Sequence, residues 1–440
     1  MDSKALTKIQ SIILIAVIVV AVVGGGVAYM LWNETPGSTE DIRIGVSSDL
    51  DGPYGKGVWQ AVLLAAEQVN AEGGILGMNL TVVAEDDDGD TADPVVATAA
   101  LTKLVTVDEA DFVISDQLTL ARVYQDICAD HQKIYFSVGS SADEDAQRVV
   151  DHYEKYKYFF RVWSPNSTSG IDGEFDSLRT LKEYTGFNKV AVLVEDLPTL
   201  KDLAAGTNEL LVDYGFEVVY DRTFPPMTTD FTSYFAAIES SGAQILHPVV
   251  ITPSCYSLVK EYYNRQSPLV MWGLIFLAQT NDFWELTDGK CEYVSSVGVP
   301  VTSGYPLTNK TVLTREAYMQ RWGEVPDACA TAAYDVVRFI LPDAIERAGT
   351  TETQALIKAL EKTDVETSMA RRFVFTSSHD VMIGLAGPNK PSQDYMLVCL
   401  FQFQANGTQV PVYPKEIMEE AGATYKYPPW RGPWEDNQVP

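Results

Sequence analysis

The sequence predicts an α/β protein with two lobes, each built on a doubly wound parallel sheet. From Asp41 onward, short apolar runs alternate with amphipathic helical stretches, which is typical of parallel strands covered by helices on both faces. The alternation is interrupted at KYFFRVWSP (157–165) and then starts again, which indicates a second lobe. A chain of 440 residues with a hydrophobic fraction of 46% is long and apolar enough for two such cores.

The first lobe is predicted to open with the strand IRIGVSS (42–48), which ends in the turn-rich loop DLDGPYGKG (49–57). A helix from Gly57 follows and stops at GGILG (73–77), because glycine ends a helix at little cost. Its expected buried face consists of Val58, Val62, Ala66 and Val69. That spacing is expected of a helix that covers a sheet.

The acidic stretch EDDDGD (85–90) closes the second predicted strand, LTVVAED (80–86). The next helix follows directly, with Asp93 near its start and Pro94 in its first turn. An EF-hand loop needs glycine at its sixth position, but Gly89 would be fourth if Asp86 were first. We therefore interpret the stretch as a turn and helix cap rather than a metal site.

The remaining elements continue the same alternation. Those expected in the first lobe are ADFVISD (110–116, strand), LTLARVYQDICADH (118–131, helix) and KIYFSVGS (133–140, strand). The second lobe is expected to contain the strands KVAVLVED (189–196), FEVVYDRTF (216–224), AQILHPVVI (243–251) and PLVMWGL (268–274). Its expected helices are FDSLRTLKEYTG (175–186), LKDLAAGTNELLVDYG (200–215), FTSYFAAIESSG (231–242) and CYSLVKEYYNRQ (255–266).

The N-terminus predicts export. Residues 9–33 form a stretch without any charge. Its length exceeds the roughly 18 apolar residues that suggest a membrane span. Lys4 and Lys8 precede the segment, so the bulk of the chain is expected outside the cytoplasm. A cleaved signal peptide competes with an anchor, since Gly26 and Ala28 form a small-x-small site. The apolar run continues to Trp32, which favours the anchor.

The charge and the motifs argue against several function classes. A net charge of −28 disfavours nucleic acid or an anionic lipid surface as a partner, since both require basic patches. The sequence lacks a G-x-S-x-G elbow, a phosphate-binding P-loop and an H-E-x-x-H pair. SSHD (377–380) resembles part of a catalytic triad, but we interpret it as a polar turn. We expect a protein that is not an enzyme and needs no cofactor.

Cysteines and sequons fit an exported protein. The five cysteines are scattered without a CxxC pair, so we expect no zinc site and one disulfide at most. Sequons that permit glycosylation occur at Asn33, Asn79, Asn166, Asn309 and Asn406.

Several motifs together resemble a known family. They are VNAEGGILG (69–77), the segment DDDGD followed by DP (86–94), YKYFFR (156–161), FWELTDGKCEYV (283–294), WGEVPDACATAAYDVV (322–337) and VPVYPKEI (410–417). The chain from about residue 41 to residue 430 resembles the type I periplasmic-binding-protein fold, specifically the branched-chain amino acid (Leu/Ile/Val) binding family of ABC importers.

The resemblance implies two α/β lobes joined by three hinge crossovers, with ligand bound in the cleft between them. We expect these crossings near Arg161–Pro165, Ser295–Ser303 and Thr363–Phe373. The resemblance implies the following division of the chain. Residues 1–33 are an anchor or signal segment, and residues 34–40 are a linker. Lobe 1 consists of residues 41–163 and 299–365, lobe 2 consists of residues 164–298 and 366–430, and residues 431–440 form a tail. In open parallel sheets, ligands bind outside the carboxyl ends of the strands.

Candidate ligand-binding residues follow from these strand ends. The first lobe offers Tyr54, Ser115, Asp116, Gln117, Gly139, Ser140 and Ser141, and the second offers Glu195, Asp196, Ser254 and Phe276. The family usually has a glycine and a serine-rich turn where this chain has SDQLT (115–119). An acidic residue that pairs with the ligand's amine is expected near Leu274–Phe276, where this chain is apolar. Glu195 or Asp196 is a candidate substitute, with a strand-end cap as the alternative.

The resulting hypothesis is a membrane-tethered, extracellular or periplasmic solute-binding protein of an ABC importer. It would capture a small polar or amino-acid-like ligand and deliver it to permease subunits in the membrane, with a monomeric ectodomain. Two alternatives stay open: the ligand-binding ectodomain of a sensor or receptor, and a structural surface protein.

Overall fold

The computed structural model describes residues 41–431 except 53–54, 90–92, 198–199, 201–206, 209, 281 and 385–393. Within these residues, no helix combines the length and the apolar character needed to cross a bilayer. The predicted anchor at 9–33 lies outside the described residues.

The first sheet contains five parallel strands in the order β2-β1-β3-β4-β5. They are β1 Ile42–Ser48, β2 Leu80–Asp86, β3 Phe112–Ser115, β4 Ile134–Ser137 and β5 Phe159–Arg161. The first four are the strands predicted for the first lobe, which confirms that part of the prediction. Because apolar residues occupy nearly all of β3 and β4 and both are fully buried, helices cover this sheet on both faces.

Helices α1 to α5 belong to the first half of the chain. They are α1 Gly55–Ala71, α2 Pro94–Thr106, α3 Ala121–Asp130, α4 Asp143–Asp151 and α5 Tyr153–Tyr156. The predicted inner face of α1 is confirmed, since Val58, Val62, Ala66 and Val69 are all buried. The Asp93 carboxylate accepts a hydrogen bond from the Val95 N–H, so Asp93 caps α2 as expected.

The second sheet contains seven strands in the order β16-β15-β10-β9-β8-β6-β7. They are β6 Lys189–Glu195, β7 Glu217–Phe224, β8 Ile245–Val250, β9 Val270–Ile275, β10 Ser295–Gly298, β15 Cys399–Phe403 and β16 Gln409–Tyr413. The strands from β6 to β10 are parallel, whereas β15 and β16 are antiparallel to their neighbours. A short turn at residues 404–408 joins β15 to β16 and can connect only antiparallel strands. The sheet is therefore mixed, not wholly parallel as predicted.

The remaining helices and strands complete the described chain. The helices are α6 Ser167–Thr185, α7 Thr232–Ser240, α8 Ser254–Arg265, α9 Phe283–Leu286, α10 Pro300–Ser303, α11 Asn309–Trp322, α12 Ala328–Asp335, α13 Leu341–Ala348, α14 Thr353–Leu360 and α15 Lys415–Glu420. A π-helical turn, Val336–Ile340, joins α12 to α13. Two small sheets pair β11 Asp364–Val365 with β12 Phe373–Val374, and β13 Ile383–Gly384 with β14 Met396–Leu397.

The hydrophobic cores follow the two sheets. One cluster surrounds the first sheet, and separate clusters cover the two faces of the second sheet, so that alternate residues of β6 belong to opposite faces. Buried side chains from Met369 to Val398 pack in the first cluster, whereas β15 begins at Cys399 in the second sheet. The described buried side chains of this stretch therefore pack with the first sheet, and the lobe boundary expected at residue 366 stays a prediction.

Candidate functional site

The carboxyl ends of the first sheet carry the residues expected to bind ligand in the first lobe. Ser48 ends β1, Ser115 ends β3, and Gly139 follows β4 closely. Because these strands are parallel, their carboxyl ends lie at one edge of the sheet. Tyr54 lies outside the described residues.

Asp116 is partly buried at this edge and interacts with the end of β1. The Ser48 hydroxyl donates a hydrogen bond to Asp116 Oδ1 at 2.5 Å. Burial raises the pKa of Asp116 to about 7, against the lowering effect of that hydrogen bond, and the carboxylates of Asp87 and Asp327 raise the pKa further. A Cβ atom on Gly139 would lie 2.0 Å from the Asp116 carbonyl oxygen, so only glycine lets the loops after β3 and β4 approach this closely.

Asp87, in the acidic stretch after β2, is fully buried. Its Oδ2 atom accepts hydrogen bonds from the Ser47 hydroxyl at 3.0 Å and the Tyr124 hydroxyl at 2.9 Å. Burial raises the pKa of Asp87, although hydrogen bonding to Tyr124, Gln117 and Ser47 lowers it. Among the described residues, no group of three or more acidic, histidine or cysteine side chains is arranged to hold a metal ion. Through its hydrogen bonds to Ser47 and Tyr124, Asp87 connects the end of β1 to α3.

The loop after β4 contacts both its own helix and the start of α6. Ser140 is buried, and its hydroxyl donates to Asp145 Oδ2 at 2.5 Å in the first turn of α4. Ser141 is exposed, and its carbonyl oxygen accepts hydrogen bonds from the backbone N–H and the hydroxyl of Ser167. Because α6 packs in the core of the second sheet, this loop joins the two halves of the molecule.

Arg161 forms a fully buried ion pair behind this loop. Its Nε donates to Asp380 Oδ1 at 2.8 Å, and one terminal nitrogen donates to the carbonyl oxygens of Ser140 and Ala142. The Asn166 amide, at the start of α6, donates to Asp380 Oδ2 at 2.7 Å. The segment SSHD, predicted to be a polar turn, thus supplies a buried carboxylate that fixes the loop after β4.

At the edge of the second sheet, Glu195 ends β6 and is fully buried. Its carboxylate accepts hydrogen bonds from the N–H groups of Ile251 and Thr252, each at 3.0 Å, and from the Thr252 hydroxyl. The Glu195 carboxylate thus caps the end of the strand and holds the loop after β8, which is the alternative to a ligand contact predicted from the sequence. Glu195 therefore supports that loop, and its pairing with a ligand amine stays a prediction.

Ser254, Asp196 and Phe276 also lie at this edge. The Ser254 hydroxyl is buried 3.0 Å from the Thr252 hydroxyl, so Glu195, Thr252 and Ser254 form one hydrogen-bonded chain. Asp196 is exposed, and its N–H donates to the Phe224 carbonyl oxygen. Phe276 follows β9 directly and is partly buried. Their role in ligand binding stays a prediction.

Three side chains at the first edge were not among the predicted site residues: Ser48, Asp87 and Asp327. Ser48 is the last residue of a predicted strand, so its position at the edge of the sheet could have been predicted from the sequence. Asp327 caps α12 by accepting a hydrogen bond from the Ala330 N–H at 2.8 Å, and burial raises its pKa to about 7. Its proximity to Asp116 arises from tertiary packing of α12 on α1, for which the local sequence carries no signal.

The raised carboxyl pKa values predict that the ligand-free protein becomes more stable as the pH falls from about 8 to about 6.5. For Asp116 and Asp327 the folded pKa, about 7, exceeds the ordinary value of 3.8, so the stabilisation is fully present at low pH and is lost as the pH rises through about 7. Calorimetric melting at constant ionic strength measures this. Asp116→Asn should flatten the profile, and a wild-type melting temperature that rises with pH over this window would contradict the prediction.

All five cysteines lie in the described part of the chain, and each is buried and free of any disulfide. Burial raises the pKa of the Cys128, Cys255, Cys291 and Cys399 thiols, and of Cys329 as well. The thiols are therefore protonated packing groups rather than nucleophiles.

Comparison with known proteins identifies similar chains. The sequence model described as "Periplasmic binding protein" matches residues 41–386. The Leu/Ile/Val-binding protein homolog 7 of Brucella suis is 21% identical over 366 residues, covering 80% of this chain and 89% of the relative. A branched-chain amino acid ABC transporter periplasmic ligand-binding protein from Burkholderia xenovorans has a similar structure, with a TM-score of 0.67 and 17% identity, over 88% of this chain and all of that one. The branched-chain amino acid transporter substrate-binding protein of Streptococcus pneumoniae, solved with isoleucine, gives a TM-score of 0.66 and 19% identity over 84% of this chain and 97% of that one.

Proposed function

The chain belongs to the periplasmic binding protein family, and on this premise we propose that it captures a small polar or amino-acid-like solute for an ABC importer. Proteins of this family bind ligands and do not catalyse reactions, so the chain is a solute-binding protein rather than an enzyme. The relatives named for Leu/Ile/Val binding and the isoleucine-bound structure make amino acids and their derivatives the first solutes to test.

The observation that best supports this function is the pair of polar strand edges, one on each sheet. Both edges place buried or partly buried hydroxyl and carboxyl groups where open parallel sheets bind ligands. We propose that Asp116, Gln117 and the loop at Gly139–Ser141 contact the solute from lobe 1. From lobe 2 we propose Ser254 as a polar contact, Asp196 at the rim and Phe276 as an apolar wall.

We further propose that the lobes close around the solute by a hinge at the three passages between the sheets. These passages follow β5, follow β10 and precede β15. Contacts between the loop after β4 and the start of α6 lie at the first passage, where the Ser167 hydroxyl and N–H donate to the Ser141 carbonyl oxygen. Hinge closure of this kind would bury the ligand between the two edges.

The solute class is tested by thermal shift and titration calorimetry on the full-length protein. Twenty amino acids, their amides and small aromatic acids form the panel. We expect at least one member to bind with one site per chain and to raise the melting temperature, because a ligand that binds only the folded state stabilises it. A panel without any binder would contradict a solute-binding role in this chemical range.

We propose that the segment at 9–33 anchors the protein, with the folded part outside the cytoplasm and permease subunits as its membrane partners. Deleting residues 1–33 should give a soluble, monomeric protein with unchanged melting temperature, because the remaining sequence has no other long apolar run. Size-exclusion chromatography and calorimetry measure both properties. Aggregation of the truncated chain under mild conditions would mean that the segment also supports the fold.

Glycosylation remains part of the proposal at three sequons. Asn79, Asn309 and Asn406 are exposed in the structure. Asn166 differs, because its amide already donates to Asp380 and accepts from the Ser169 N–H. Asn33 lies outside the described residues.

A further inference from the structure

We propose that Asp143 of lobe 1 and Thr168 of lobe 2 form a latch that fixes the proposed solute-contact loop, Gly139–Ser141, relative to lobe 2. Both are positioning residues, because neither is expected to touch the solute. This inference rests on the proposed function, since it adds to the proposed hinge closure a contact that sets how the two lobes are held before the solute binds.

The latch joins the first turns of two helices. Asp143 is the first residue of α4, and Thr168 is the second residue of α6. The Thr168 hydroxyl donates to Asp143 Oδ2 at 2.6 Å, and the Thr168 N–H donates to Asp143 Oδ1 at 3.2 Å. Both oxygens of one carboxylate are therefore held by a single residue of the other lobe.

The first turn of α6 depends on lobe 1 for its hydrogen bonds. An α-helix leaves the N–H groups of its first turn without partners inside the helix. In α6 the Ser167 N–H donates to the Ser141 carbonyl oxygen, and the next N–H, that of Thr168, donates to Asp143. The third N–H is the first that is capped from within lobe 2, by the Asn166 side chain. Two of these three N–H groups therefore have their partners in lobe 1.

The charge of Asp143 favours the same contact. The N-terminus of a helix carries partial positive charge, so two helix N-termini that meet repel each other. The Asp143 carboxylate lies at the start of α4 and accepts hydrogen bonds from the start of α6, so it is attracted to both helix ends. Removing this charge should therefore weaken the contact between the lobes.

Each helix is fixed to the core of its own lobe. Val149 of α4 is buried in the cluster around the first sheet, whereas Phe175 and Leu178 of α6 are buried in a cluster on the second sheet. A contact between the starts of these helices therefore relates the position of one sheet to that of the other. Because Ser141 lies two residues before Asp143, the solute-contact loop takes its position from the same contact.

The latch is tested first without any solute, by the distance between spin labels on the two lobes of the full-length protein. All five native cysteines are buried, so the labels attach to cysteines introduced at two exposed alanines, by Ala99→Cys in α2 and Ala237→Cys in α7. In this labelled protein we expect Asp143→Ala and Thr168→Val each to broaden the distribution of distances. Glu144→Ala removes an exposed acid from the same turn of α4 and should leave the distribution unchanged.

Two further variants separate the latch from a general loss of stability. Thr168→Ser keeps the hydroxyl that donates to Asp143, so it should give the wild-type distribution. Asp143→Ala combined with Thr168→Val should act no more strongly than Asp143→Ala alone, because both changes remove one contact. Distributions that stay unchanged in Asp143→Ala and Thr168→Val would overturn the latch, whichever solute the protein binds.

Binding kinetics test the positioning of the loop, with L-isoleucine as the probe and the fluorescence of the eight native tryptophans as the signal. A latch that holds the loop in place raises the fraction of molecules that are ready to bind. Thr168→Val should therefore lower the association rate constant about three- to tenfold and leave the dissociation rate constant unchanged. A change confined to the dissociation rate constant would overturn the positioning role. If L-isoleucine does not bind the wild type, that result bears on the proposed solute class alone, and the label distances decide the latch.

Discussion

Arg161→Ala is expected to lower the free energy of unfolding by about 3 to 5 kcal/mol, because removing one partner of a buried ion pair leaves an uncompensated buried charge. Arg161 is fully buried against Asp380, and it also donates to two carbonyl oxygens in the loop after β4. Chemical denaturation monitored by fluorescence measures the change. Since that loop carries Ser140 and Ser141, solute affinity should fall as well.

Two control variants separate the ion pair from general loss of an arginine. Arg179 is 40% exposed and pairs with Asp176 and Glu183 on its own helix, so Arg179→Ala should cost less than about 1 kcal/mol. The double variant Arg161→Met with Asp380→Asn removes both charges and should recover part of the lost stability. A single Arg161→Ala variant as stable as Arg179→Ala would show that the buried pair contributes little.

Trp272→Ala is expected to cost about 3 to 5 kcal/mol, the usual range for removing a fully buried large aromatic side chain. Trp272 lies in β9 with no exposed surface, and its indole N–H donates to the Ser177 hydroxyl at 2.9 Å. The deletion leaves a cavity between α6 and the second sheet, behind β9, the strand that Phe276 follows. Equilibrium denaturation gives the magnitude.

Trp272→Phe is the matched control for this cavity. It keeps most of the volume and loses the indole hydrogen bond, while the Ser177 hydroxyl still donates to the Glu174 carbonyl oxygen, so it should cost about 0.5 to 1.5 kcal/mol. If Trp272→Ala and Trp272→Phe are equally unstable, the loss comes from the hydrogen bond and not from the cavity. An effect of Trp272→Ala below 1 kcal/mol would mean that α6 collapses onto the sheet without strain.

The sequence predicted the first sheet and most of the second because local patterns suffice there. Four strands of the first sheet and β6 to β9 correspond to apolar runs bounded by turn residues. The antiparallel pair β15–β16 was not predicted, since its strands come late in the chain and join the sheet beside β10. The lobe boundaries expected from the sequence stay predictions, although the buried side chains of Met369, Phe375 and Val398 pack in the first core.

The site was predictable as a set of strand ends but not as a network. Ser115, Asp116 and Glu195 lie at the ends of predicted strands. Their positions could be predicted, because a polar residue that follows an apolar run marks the end of a strand. The hydrogen bonds between Thr252 and the Glu195 carboxylate could not be predicted, because the two residues lie 57 positions apart in the sequence. The approach of Asp327 to Asp116 likewise depends on helix packing, so the acidic character of the edge emerged only from the fold.

A crystal structure with the tightest-binding member of the solute panel would test directly whether both lobes hold the solute. We expect one solute molecule between the two strand edges, with contacts from Asp116 or the loop at Gly139–Ser141 in lobe 1 and from Ser254 or Phe276 in lobe 2. A solute that contacts only one lobe, or that binds away from both edges, would show that the two strand edges do not form the binding site.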